Sequence, residues 1–161
     1  MKKVLSELFV VILSVTLVLA GCGKKDDNKP STLLTVGELW AKVNEIAGYG
    51  AMTAVPKSDY SDVYGIDASK IEDSVWYRSE NPSLNADETA IFKVSDASYA
   101  ETLAELFRGR IDRQKKVAEA YSPDEAAKLE RAEVVVAGNY VYYCVGTANT
   151  AVTNLLKTLI K

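Results

Sequence analysis

Apolar positions along the chain change their period several times, and each change marks an element. Val36, Leu39, Trp40, Val43, Ile46 and Ala47 recur at helical intervals behind Thr35-Val36-Gly37-Glu38, which has the spacing of a capping box. This predicts an amphipathic helix over residues 36–47, ended by Gly48, Gly50 and Pro56. A short helical turn follows near Ser61 to Tyr64, stopped by Gly65. Residues 74–79 and 88–94 have strand character and flank Asn81-Pro82-Ser83-Leu84-Asn85, a cluster of turn formers, so they are expected to pair antiparallel. Ser95 and Asp96 can cap a long helix running to about Tyr121, with Ala100, Leu103, Phe107, Ile111, Val117 or Ala118, and Tyr121 along one side. Gly109 weakens that helix by ~1 kcal/mol relative to alanine. Ser122-Pro123-Asp124-Glu125 restarts a helix at a new angle: hydroxyl cap, proline at the first position, glutamate three residues on.

From Ala132 the period becomes two. Glu133 to Ala137 and Tyr140 to Val145 flank Gly138-Asn139, a two-residue hairpin signal that pairs Ala137 with Tyr140. Val152, Leu155, Leu156, Leu159 and Ile160 then form the apolar face of a last helix. Hairpins alternating with helices imply an α+β fold, an antiparallel four-stranded sheet of two hairpins with helices packed on one face. The second sheet face is either left open or covered by the helix over residues 36–47. Strict strand-helix alternation, which a parallel doubly wound fold requires, is absent.

The first residues read differently from this domain. Lys2 and Lys3 precede an uncharged apolar run, Leu8 to Ala20, and then Leu19-Ala20-Gly21-Cys22. A positive start, a run shorter than the ~20 residues that span a bilayer, and small residues before a cysteine describe a signal peptide with a lipobox. Glu7 is its one misfit. The expected organisation is a lipoprotein signal peptide at 1–21, a flexible tether at 22–34 and one globular domain at 35–161. Cleavage before Cys22 would let the thiol take diacylglycerol as a thioether. Acyl chains such as palmitate would then hold the protein at the extracytoplasmic side of the cell membrane, since stable anchoring takes more than one chain.

Charge and composition remove several function classes. Without residues 1–21 the chain keeps 17 basic and 21 acidic side chains, a net charge of −4, which argues against nucleic acid as a partner. The chain has no histidine, so a Ser-His-Asp or Cys-His arrangement cannot be built and zinc lacks its usual ligand. Cys22 and Cys144 are its two cysteines, and with Cys22 lipidated, Cys144 is read as a buried structural thiol. No phosphate loop or Cys-x-x-Cys occurs. No cofactor is expected apart from the covalent lipid, and Asp26-Asp27-Asn28 is read as solvated linker rather than a metal site.

Glu38-Leu39-Trp40, Tyr64-Gly65-Ile66-Asp67, Asn85-Ala86-Asp87-Glu88 before Ile91-Phe92-Lys93, and Gly138-Asn139-Tyr140-Val141 after a valine run stand in an order and spacing that resembles one family of small Gram-positive lipoproteins. That family is domain of unknown function 4358. The resemblance covers most of the chain from about Leu39 and implies location and single-domain form, with no catalytic residue.

Two kinds of site can be drawn from these residues. Glu72-Asp73 and Asp87-Glu88 flank the first two strands and could serve a carboxylate-dependent hydrolase of cell-wall glycan or peptide. Adjacent residues on a strand point to opposite faces, however, which weakens that reading. The favoured reading is a non-catalytic accessory or interaction domain, with small-ligand binding as a further alternative. Its candidate face gathers Tyr140 and Tyr142 with Cys144 and Val135, and Trp76, Arg78, Ile91 and Lys93 can join them. Uncovered, Trp76, Arg78, Tyr140 and Tyr142 would offer an aromatic docking surface to another envelope protein or peptide.

Overall fold

The computed structural model describes residues 34–161. The segments expected to be signal peptide and tether, up to residue 33, with Leu19, Ala20, Gly21 and the expected lipidation residue Cys22, lie outside the described residues. Helix α1, Val36–Ala47, starts where its sequence dictates: the Thr35 side chain accepts from the Glu38 amide at 3.2 Å, while the Glu38 carboxylate accepts from the Thr35 amide at 2.7 Å. It ends at Gly48, whose φ of 66° closes the last turn. A short strand β1, Met52–Ala54, and a single helical turn α2, Asp59–Asp62, lead to β2, Ile71–Ser79. Strand β3, Glu88–Val94, is followed by α3, Ala100–Tyr121, and α4, Pro123–Glu130. Strands β4, Val135–Ala137, and β5, Tyr140–Val145, form the predicted hairpin, with Ala137 opposite Tyr140 and Gly138 at φ 59° in the turn. Helix α5, Asn149–Leu159, closes the domain.

The fold is α+β with one antiparallel sheet of five strands, in the order β1-β2-β3-β5-β4. One strand more than expected is present because β1 pairs with β2, Met52 opposite Ser79 and Ala54 opposite Tyr77. Met-Thr-Ala between Gly50 and Pro56 has neither the length nor the alternation that marks a strand in sequence. The sheet edge of β2 supplies its hydrogen bonds instead.

Helices cover both faces of the sheet. On the first, Leu103, Ala104, Phe107 and Ile111 of α3 pack on Trp76, Phe92, Val141 and Tyr143. Phe107 lies at the middle of this cluster, its ring 5.0 Å from Tyr143, 5.2 Å from Phe92 and 5.7 Å from Trp76. On the second, Val36, Leu39 and Val43 of α1 and Val152 and Leu156 of α5 pack on Ile91, Tyr140, Tyr142 and Cys144. Strands β3 and β5 are consequently covered on both sides, which explains why every residue of β5 is buried and why apolar residues run without a break through Ala90, Ile91 and Phe92 of β3. Of the two arrangements open to the second face, the covered one is adopted, and α5 shares the cover with α1.

Candidate functional site

The aromatic face drawn from sequence needs correction in two respects. The register sets Trp76 opposite Ala90 and Ala90 opposite Tyr143, whereas Ile91 lies opposite Tyr142 and Lys93 opposite Tyr140. Trp76 and Arg78 therefore point to the α3 side and share no face with Tyr140 and Tyr142. No tight turn fixes the pairing of β2 with β3, and a shift of one residue exchanges the two faces. Second, Trp76, Tyr140 and Tyr142 are 2%, 5% and 1% exposed, so none is available for docking. Arg78 is half-buried and donates to the Tyr64 hydroxyl at 3.3 Å. Cys144 is buried, with its Sγ 2.7 Å from the Tyr49 hydroxyl, and burial pushes its pKa up, as befits an inert thiol.

The paired carboxylates separate as their positions on a strand require. Glu72 forms an ion pair with Lys93 at one end of the sheet. Asp87 and Glu88 lie at the other end. Glu88 is 1% exposed and accepts from Arg110 Nε at 2.8 Å, Arg110 Nη2 at 2.7 Å, Trp76 Nε1 at 2.7 Å and Gln114 Nε2 at 3.2 Å, and also from the Tyr143 hydroxyl. Burial by itself would raise its pKa. The hydrogen bonds and charge of Arg110, helped by Tyr143 and Trp76, outweigh that and hold the carboxyl below the usual carboxylate range. A general acid needs the opposite shift, and a general base needs a free lone pair, so this geometry suits neither role. Asp87 turns toward α4, where Lys128 Nζ donates to it at 2.9 Å and Asn85 Nδ2 at 3.2 Å. Lys128 also pairs with Glu125 at 3.0 Å, and Glu125 accepts from the Ala86 amide at 2.7 Å. These buried polar contacts fasten α3 and α4 to the start of β3, and breaking one partner of such a pair costs far more than the pair gains.

What they hold in place is a groove of about 600 Å³ between the end of α3, α4 and the loop before β3. Its apolar walls include Pro82, Leu84, Ala86, Val117, Tyr121 and Leu129. Leu84 is 73% exposed, Val117 63% and Tyr121 85%; only Ile46 and Val63 are other exposed large hydrophobics among the described residues. Helix α3 has 22 residues, about 33 Å at 1.5 Å each, whereas the seven residues of β3 span about 23 Å. The apolar stripe of α3 thus outruns β3 and continues past its own last buried residue, Ile111. The sequence places Val117 or Ala118, and Tyr121, on the same side of the helix as Phe107 and Ile111 without telling which of them is covered. The signal for the groove was the length of that stripe, together with a leucine inside a turn cluster.

The lining polar groups differ in how far they are already engaged. Asn85 and Glu125 are engaged in the contacts above. Arg113 makes no hydrogen bond or ion pair among the described residues, and Gln114 Oε1 is buried without a donor. A smaller cleft of about 320 Å³ lies at the opposite end of the sheet, lined by Leu34, Val36, Glu72, Lys93 and Tyr140. Among the described residues no group of acidic and cysteine side chains could hold a metal, and no helix is long and apolar enough to cross a membrane.

A family model described as "Domain of unknown function (DUF4358)" matches residues 45–146. The chain belongs to this family. The matched segment of DUF4358 takes in all five strands, α3, α4, the Glu88 network and the residues lining the groove. Helix α5 and most of α1, which together cover the second face, fall outside it. No curated protein and no solved structure matches the chain.

Proposed function

We propose that this DUF4358 domain is a non-catalytic binding module, held at the outer side of the bacterial cell membrane by lipid on Cys22, which docks a peptide segment of another envelope protein in the groove. The observation that carries this reading is the convergence of Leu84, Val117 and Tyr121 on one groove, whereas the other exposed large hydrophobics among the described residues, Ile46 and Val63, lie apart from it. Exposed apolar side chains gathered in one concave place mark interaction sites far better than scattered ones. The anchor rests on Leu19-Ala20-Gly21-Cys22 behind an apolar run. Position supports the combination. The chain enters the domain at Leu34, beside Lys93, and the groove opens near Glu88, about 17 Å further along β3 at ~3.4 Å per residue. A tether that enters at Leu34 leaves the groove, at the opposite end of the sheet, clear of its own point of attachment. A carboxylate-dependent hydrolase gains no support from Asp87 and Glu88, whose oxygens are occupied by Lys128 and Arg110.

The test uses the full chain in cells, carrying a photo-crosslinking residue at position 117 or, as a control, at position 63. A membrane-bound chain is expected to give an adduct at 117 that Leu84→Ser removes, and no such adduct at 63. Cys22→Ala is expected to release the protein into the soluble fraction. Retention of Cys22→Ala on membranes would sink the anchor; indifference of the 117 adduct to Leu84→Ser would sink the groove.

A further inference from the structure

We propose that the groove recognises the carboxyl-terminal residue of an extended peptide: an apolar side chain against Leu84, Val117 and Tyr121, its carboxylate on Arg113 and its amide N–H on Gln114. This rests on the groove being a docking surface and names its occupant. Three unspent capacities of the lining carry it.

The first is charge. Glu125, the carboxylate of the lining, is already paired with Lys128 and capped by the Ala86 amide. Arg113 is exposed and has no partner among the described residues, so the charge the groove still offers is positive. Guanidinium pairs with carboxylate through two parallel hydrogen bonds, which gives direction as well as attraction. The second is an acceptor. Glu88 can only accept, so the Gln114 amide turns its Nε2 toward Glu88, and this leaves Oε1 without a donor among the described residues; the atom is closed to solvent, so a peptide N–H reaches it on a shift of this half-buried side chain toward the groove. A fatty acid or detergent brings a carboxylate and a tail but no N–H; a peptide backbone brings one. The third is the apolar wall. One residue at the end of a peptide carries N–H, side chain and carboxylate together, and Arg113 and Gln114 are neighbours on α3. A second copy of the domain fits less well, because stable interfaces engage about 20–30 residues a side, and the exposed apolar surface converging here comes from Leu84, Val117 and Tyr121.

The full chain in phospholipid nanodiscs is titrated against fluorescein-labelled tetrapeptides ending in leucine, isoleucine, valine or phenylalanine, each as free acid and as carboxamide, with anisotropy as the readout and empty nanodiscs as blank. At least one acid should bind, and its amide should bind about tenfold more weakly or worse, as loss of a charge-assisted pair implies. Arg113→Ala should remove the preference for the acid without moving the melting temperature, and Lys116→Ala should preserve it. Failure of every acid to bind, equal binding of acid and amide, or a preference that survives Arg113→Ala would overturn the assignment. Peptides that bind equally in both forms yet compete with the crosslink at position 117 would leave the docking surface standing and remove only its carboxylate specificity. Absence of both peptide binding and the crosslink would remove both.

Discussion

The two halves of α3 carry one apolar stripe and put it to different uses. From Ala100 to Ile111 the stripe is buried in the aromatic cluster of the first sheet face. From Arg113 onward it continues through Val117 and Tyr121, which face solvent across the groove from Leu84. Helical periodicity records which side of a helix is apolar. Whether the same chain covers that side depends on how far the sheet beneath it reaches, a property of other segments. The half within reach of the sheet provides stability, and the overhanging half is free to meet something else.

The comparison is broken most forcefully at Phe107, which contacts Trp76, Phe92 and Tyr143. Phe107→Ala should cost about 3–5 kcal/mol through lost burial and the cavity it leaves. Denaturant unfolding would show this as a lower midpoint at unchanged slope; a cost below ~1 kcal/mol would mean that the buried half is not the core described here.

Next in size is Glu88→Gln, which leaves the Arg110 guanidinium buried opposite an amide and should cost about 3 kcal/mol. This change also has a pH signature. The folded-state pKa of Glu88 lies below its ordinary value, so the pair's contribution is present above the unfolded carboxylate value of ~4.3 and is lost as pH falls through the lower folded value. Wild type should therefore lose more stability than the variant between about pH 5 and the acid limit. Parallel acid limbs in thermal melts of the two proteins would contradict the assignment of an ionised Glu88.

How much of this could be read from sequence depended on whether a local signal decided the matter. Gly138-Asn139 set the hairpin and its register, and Thr35 with Glu38 set the start of α1, because both signals act within a few residues. Pro123 correctly marked the start of α4, but the expected capping box there does not form: Ser122 makes no side-chain cap, and Glu125 reaches the Ala86 amide instead. A tertiary partner outbid the local one. Trp76 was put on the wrong face because the long connection from Glu80 to Asp87 carries no register information. Strand β1 was missed because its pairing comes entirely from β2. The groove, similarly, exists only once α3, α4 and the loop at Leu84 are brought together by Glu88, Asp87 and Lys128, contacts between residues far apart in the chain.

A smaller effect of opposite sign is expected on the second sheet face. The Tyr142 hydroxyl is buried and has no hydrogen-bond partner among the described residues. Tyr142→Phe removes an unsatisfied polar group at nearly constant shape, so it should leave stability unchanged or raise it by about 1 kcal/mol. Tyr142→Ser removes the ring as well and should cost several times as much, ~3 kcal/mol or more. A loss on Tyr142→Phe, measured by thermal melt, would mean that the hydroxyl has work that the fold does not reveal.

The smallest stability effect belongs to the groove and is the most informative of the series. Val117→Ser and Tyr121→Ser change side chains that are 63% and 85% exposed, so each should shift stability by no more than ~0.5 kcal/mol. Serine costs a helix slightly in propensity, and little native burial is lost at either site to add to that. If the exposed half of α3 is a docking surface, the same two substitutions should nevertheless abolish the crosslink from position 84 to its partner in cells. Large effect on capture with almost none on unfolding is a combination that the buried half cannot produce, since Phe107→Ala loses both together. A melting temperature lowered as far by Tyr121→Ser as by Phe107→Ala would erase the distinction between the two halves, and the groove would have to be read as an extension of the core.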